Sequence, residues 1–123
     1  MIQGQCLCGA VKYRYAADLE CSIICFCQHC RLAQGAVFGW NSPIDESKFQ
    51  LIQGASSVKE YFHTPNKARV FCSQCGSPLY SYRTDLPNVL RLRLGTVMQG
   101  DLPAPKEGGF QYYQPDFICI NSF

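Results

Sequence analysis

Seven of the nine cysteines in this 123-residue chain fall into three tight groups, and that grouping constrains the fold more than any other feature. Cys6 and Cys8 form a CxC ahead of Gly9. Cys25, Cys27 and Cys30 form a CxCxxC. Cys72 and Cys75 form a CxxC ahead of Gly76. Such spacing lets two thiolates reach one ion from a single turn, and the glycine that follows permits the tight backbone. Buried apolar thiols are a poor account of all seven, because burial alone does not cluster cysteines at ligand spacing. An odd total also fits badly with a closed disulfide framework. The opening residues, MIQGQCLCGAVKYRY, have neither a basic start nor an apolar run, so no signal peptide is expected there. The expected compartment is then the reducing cytoplasm, where clustered cysteines bind metal or do chemistry.

Seven ligands suit two zinc ions per chain. A set of four closes a tetrahedral, structural site; a set of three leaves a position open, where zinc chemistry happens and where occupancy is expected to be partial. Spacing does not fix which groups share an ion. One division gives the triplet Cys25, Cys27 and Cys30 its own ion and joins the two pairs around the other, which uses every ligand. A zinc ribbon built from Cys27, Cys30, Cys72 and Cys75 is the rival, with Cys6, Cys8 and Cys25 as bystanders. Cys21 and Cys119 have no close-spaced partner outside these groups and are expected in the core.

The remaining residues read as one domain over 1–123, rich in short strands. Hydrophobic residues make up 47% and charged residues 16%, a composition that folds, and no apolar run is long enough to span a membrane. Strands are expected around Val11–Tyr15, Ser22–Cys27, Val37–Trp40, Gln50–Gln53, Val58–His63, Ala68–Cys72, Leu79–Tyr82, Leu90–Leu94 and Phe117–Ile120. Gln28–Gln34 suits one or two helical turns before Gly35, and Ser42–Lys48 suits another. The stretch from Gly100 to Asp116 reads as a long loop carrying Phe110, Tyr112 and Tyr113. The 11 basic and 9 acidic residues give a nominal net charge of +2. Four thiolates on one Zn²⁺ and three on another would turn that into −1, so basicity is no argument for nucleic-acid binding. Arg91 and Arg93 on one strand, with Lys67 and Arg83 elsewhere, are too sparse for a basic stripe.

The motifs resemble those of the glutathione-dependent formaldehyde-activating enzyme/centromere protein V (GFA/CENP-V) family. The matching pieces are Gly4-Gln5-Cys6-Leu7-Cys8-Gly9, then Cys25-Phe26-Cys27-Gln28-His29-Cys30-Arg31, then Gly35 with Phe38. Phe71-Cys72-Ser73-Gln74-Cys75-Gly76-Ser77-Pro78-Leu79-Tyr80 and Gly95-Thr96 follow in the family's order. The resemblance implies an all-β, β-tent (Mss-like) zinc-binding fold of short antiparallel strands with little helix. It implies a structural zinc on Cys6, Cys8, Cys72 and Cys75 and a catalytic zinc on Cys25, Cys27 and Cys30. It also implies a carbon–sulfur lyase like S-(hydroxymethyl)glutathione synthase, with a small thiol or its aldehyde adduct as the partner.

The chemistry agrees with that expectation. An open three-thiolate zinc is soft and takes a thiol as its natural fourth ligand. Zinc lowers the pKa of a bound thiol, and a thiolate held beside an aldehyde carbon forms a C–S bond. Three thiolates also weaken the metal's Lewis acidity, and a zinc-stabilised interaction module without turnover is the competing expectation. His29 is a candidate general acid or fourth ligand, and Arg31 a candidate partner for thiolates or a substrate carboxylate. A histidine in that position more often points outward, and a lone arginine is equally often solvated. His63 lacks the HxE context of a deaminase zinc site. Phe38, Trp40, Tyr112 and Tyr113 are candidate pocket walls, although aromatic residues more often fill cores.

Overall fold

A computed structural model of the chain describes residues 1–109 and 113–119. Its strands form two sheets. The smaller has β1 (Ile2–Gln5), β2 (Lys12–Tyr15), β5 (Phe49–Gln53) and β10 (Val97–Gln99), in the order β10-β1-β2-β5. The larger has β3 (Ser22–Cys25), β4 (Gly39–Asp45), β6 (Val58–Thr64), β7 (Lys67–Cys72), β8 (Pro78–Arg83), β9 (Val89–Arg93) and β11 (Pro105–Gly109). Its order is β11-β3-β4-β9-β8-β7-β6. The one α-helix among the described residues, α1, spans Gln28–Gln34, as the sequence predicts. Among the described residues no helix is long and apolar enough to cross a membrane.

Alternation decides what each strand buries. Tyr13 and Tyr15 of β2 point into the core while Lys12 and Arg14 do not. Leu90 and Leu92 of β9 join them from the other sheet, with Leu79, Leu94, Ile2 and Val11. The core therefore lies between the sheets, and Cys6 and Cys72 are part of it. A partly buried hydrogen bond fixes one corner: the Tyr13 and Thr96 hydroxyls are 2.7 Å apart across 83 residues of sequence. The Tyr13 ring lies over Gly4, its cross-strand partner.

Several expectations need correction. Val37 and Phe38 precede the strand, which begins at Gly39 and runs on through Ser42 and Pro43 to Asp45. Pro43 is tolerated because it lies beyond Asn41, where pairing of β4 to β3 has ended, so β4 has an open edge there. The helical turn is only Glu46–Lys48, capped by Asp45, whose carboxylate accepts from the Ser47 N–H at 2.9 Å. The 100–116 loop contains β11, which pairs parallel to β3 and so departs from an all-antiparallel architecture. Asp116 and Phe117 form a turn rather than a strand, with the Ile118 N–H donating to the Pro115 carbonyl at 3.0 Å. Ile120, Phe110 and Tyr112 lie outside the described residues. Cys119 is exposed and Cys21 half-buried, so neither is a core cysteine.

A Cβ at Gly4 would overlap the Tyr13 phenol and the Thr96 carbonyl, whereas one at Gly95 would meet nothing within 4 Å. Gly4→Ala should therefore cost about 1–3 kcal/mol, the usual range for overpacking a core. Gly95→Ala should be close to neutral. Thermal unfolding of the two variants checks the contrast; equal losses would contradict this packing.

Candidate metal centres and adjoining cavity

The first centre joins the two sheets. Cys6 and Cys8 come from the turn between β1 and β2, and Cys72 and Cys75 from the end of β7 and the turn into β8. All four Sγ atoms lie within 4.8 Å of one another. The Cys6–Cys8 and Cys8–Cys72 separations are 3.7 and 3.9 Å. Zn–S bonds of about 2.3 Å in a tetrahedron put sulfurs about 3.8 Å apart, so these positions fit the ion.

The two turns are built alike. Gly9 and Gly76 both have positive φ, 79° and 80°, and each N–H donates to the carbonyl of the first cysteine of its motif. Backbone N–H groups also point at sulfur: Val11 at Cys6, 3.3 Å, and Gln74 at Cys72, 3.4 Å. Ser77 ties the turns together. Its hydroxyl accepts from the Leu7 N–H at 2.9 Å and lies 3.2 Å from Cys75 Sγ. That hydroxyl, aided by backbone N–H groups, pulls the Cys75 thiol down to about 5.

The second centre is Cys25, Cys27 and Cys30, whose sulfurs also lie within 4.8 Å of one another. Cys25 ends β3, Cys27 caps α1 and Cys30 is in its first turn. The Cys27 sulfur accepts the Cys30 N–H at 3.3 Å, and the two sulfurs are 3.2 Å apart. Burial pushes the Cys30 thiol up to about 12, with Cys27 and Cys25 adding to the effect. Burial would raise Cys27 as well, but the Cys30 N–H and the neighbouring thiols bring it below its ordinary value. The protons are driven apart because three adjacent thiolates without a cation repel one another. A divalent cation removes that conflict, so this donor set also fits zinc, with three protein ligands. Gly39 matters here although its sequence context gives no hint of it. It pairs with Cys25, and a Cβ on it would press within 3.3 Å of Cys30 Cβ.

Beside the triplet lies a cavity of about 450 Å³. Its wall includes His29 and Leu32 of α1, Tyr61 and His63 of β6, Arg69 of β7 and Arg93 of β9. A second cavity of about 300 Å³ shares Gln34, Pro78 and Arg93 with it and is lined by Phe38 and Trp40. The His29 and His63 rings meet edge to face, 5.0 Å between centroids. Tyr113 is exposed and lines neither cavity. His29 is exposed at the rim, outside both sulfur groups. The Nε of Arg31 is buried without a hydrogen-bond partner among the described residues.

Arg93 departs most from its sequence reading. It is only 7% exposed, and its Nη2 donates to Ser81 Oγ at 2.9 Å. Register explains its company. Tyr61, Arg69, Ser81 and Arg91 pair in a row across β6, β7, β8 and β9, and Arg93 pairs with Asn41 next to it. Cross-strand partners project from the same face, so cations that look scattered in sequence share one face of the larger sheet. The cations act on one another's charge. Burial and then Arg69 bring Arg93 down to about 10, with Cys30 opposing. Burial and then Arg69 also lower Lys67.

The sequence profile of the family described as "Glutathione-dependent formaldehyde-activating enzyme" matches residues 1–114. A Halomonas elongata protein named "Putative glutathione-dependent formaldehyde-activating enzyme" is 28% identical over 132 residues, covering 99% of this chain and 82% of its own. The crystal structure of a Rhodobacter sphaeroides protein is similar in fold, with a TM-score of 0.65 at 24% identity. That match covers 82% of this chain and 91% of the other. With the family profile extending over both cysteine centres, the chain belongs to the glutathione-dependent formaldehyde-activating enzyme (GFA) family.

Proposed function

We propose that this protein is a zinc-dependent carbon–sulfur lyase that makes and breaks the bond between a small, glutathione-like thiol and a small aldehyde such as formaldehyde. The observation that carries the reading is the division of seven sulfurs into a group of four and a group of three. Four thiolates complete a tetrahedron, and three leave one position for a substrate sulfur. Family membership and the name of the Halomonas elongata relative support the same chemistry.

Zinc bound by Cys25, Cys27 and Cys30 would supply a position at which a thiol ionises near neutral pH. The chain's part is placement. β3 and α1 aim three sulfurs at one point, Gly39 leaves room behind Cys30, and the cavity beside them takes the rest of the substrate. In the forward direction the thiol sulfur bonds to the aldehyde carbon, the carbonyl π pair moves to oxygen, and that oxygen gains the proton lost by sulfur. The reverse direction breaks the same C–S bond. Acceleration comes mainly from holding the two reactants together. A reducing compartment such as the cytoplasm suits a site of half-buried thiolates.

The two centres should fail differently. Cys8 and Cys72 are 64 residues apart, so the four-sulfur centre closes a long loop. Structural zinc contributes roughly 10 kcal/mol or more in small domains. Cys72→Ser should therefore yield unfolded or insoluble protein, whereas Cys27→Ser should keep the fold and lose the weaker metal. Metal analysis and circular dichroism of both variants test this; the opposite pattern would reverse the assignment of the centres. Zinc content of fresh wild-type protein should fall between one and two ions per chain.

Cobalt substitution examines the open position directly. Adding glutathione or 2-mercaptoethanol to the Co²⁺ protein should change its visible absorption, and the change should be absent in Cys27→Ser. A spectrum unmoved by either thiol, with no turnover of thiol plus formaldehyde, would replace the enzyme reading with a zinc-stabilised binding module.

A further inference from the structure

We propose that Arg69 and Arg93 form an anion-binding wall that selects thiols carrying an acidic group, a carboxylate in the first instance. The inference rests on the thiol reading above and adds the part of the substrate remote from sulfur. Its basis is the lining of the 450 Å³ cavity. Arg93 is only 7% exposed, and Ser81 is the only hydrogen-bond partner of its guanidinium among the described residues. Arg69 of β7 lines the same cavity. Among the described residues, no acidic side chain lines the cavity. The ion pairs among the described residues are Met1 with Asp18 and Arg83 with Asp85, so neither cation of the wall has a carboxylate.

A buried guanidinium without a carboxylate is costly unless something neutralises it. The triplet supplies part of the answer, since Cys30 and Cys25 lie close enough to favour the charged form of Arg93. It does not supply all of it. Lys67, Arg69 and Arg91 lie near Arg93 and add positive charge to it, so the cations outnumber the single negative charge that three thiolates would keep around a divalent cation. If Arg93 only balanced the thiolates, Arg69, two strands away on β7, would have no such task. A planar guanidinium pair suits a carboxylate, which it can grip through two parallel hydrogen bonds. The substrate would place its sulfur at the triplet and its carboxylate on the wall, with the cavity between holding the linking carbons.

Trp40, the one tryptophan of the chain, lines the adjoining cavity with Arg93 and provides a signal that does not depend on turnover. Binding of 3-mercaptopropionate, its neutral amide 3-mercaptopropionamide, and propionate to the zinc-loaded protein is followed by Trp40 fluorescence, and by amide NMR shifts at Arg69 and Arg93. The acid should bind about tenfold more tightly than the amide, as expected for a charge-assisted contact. Propionate should bind weakly and compete with the acid. In Arg69→Gln the preference should fall to about twofold or less, with the amide's affinity unchanged; Arg93→Lys should reduce it partially while keeping the charge. An acid-to-amide ratio near one in the wild type, or one that survives Arg69→Gln, overturns the proposal even if Arg93→Lys fails to fold. Propionate binding that depends on Arg69, with neither thiol perturbing the cobalt spectrum, upholds the wall while refuting the thiol reading. Both thiols binding equally does the reverse.

Discussion

The four-sulfur centre is the constraint on which the rest depends. Cys6 and Cys8 come from a turn of the smaller sheet and Cys72 and Cys75 from a strand end and turn of the larger, and Cys6 and Cys72 are part of the core between the sheets. With the pairs 64 residues apart, closing that loop removes a large share of the unfolded chain's freedom. Ser77 reinforces the junction with one hydroxyl that serves both turns. Fixing the sheets in this way fixes β7, and through register it fixes Arg69 relative to β9 and Arg93.

The triplet uses the fold differently. None of its three cysteines links the sheets; all lie on the continuous stretch from the end of β3 into α1. Such a centre can lose its ion without releasing a long loop. The contrast follows from chain connectivity: the same ligand chemistry is structural where it closes a loop and adjustable where it does not.

Much of this was legible in the sequence because it rests on local rules. The Val11–Tyr15 and Leu90–Leu94 alternations, the helix before Gly35 and the three cysteine groups are all short-range patterns. What escaped was non-local. Pro105–Gly109 carries no alternation and becomes a strand only through backbone pairing with β3. Ile2–Gln5 and Val97–Gln99 are short, and each depends on a partner distant in sequence. In the sequence Arg93 is only one of a few sparse cations and Arg69 does not stand out, because nothing in a linear chain shows that Ser81 will stand between them. Gly39 looked like part of an apolar run, yet its missing side chain is what lets β4 approach Cys30.

The parallel pairing of β11 to β3 has a further consequence. Without Pro105–Gly109, β3 would be the outermost strand of its sheet and would present unpaired N–H and carbonyl groups along its length. That bare margin would end at Cys25, the residue that Gly109 faces in the ladder. A nucleophilic sulfur at the tip of a sticky strand invites both strand addition and oxidative cross-linking between copies. The tail segment thus works as a sheath: it denies neighbouring molecules a template while leaving the sulfurs beyond the strand's end open to small solutes.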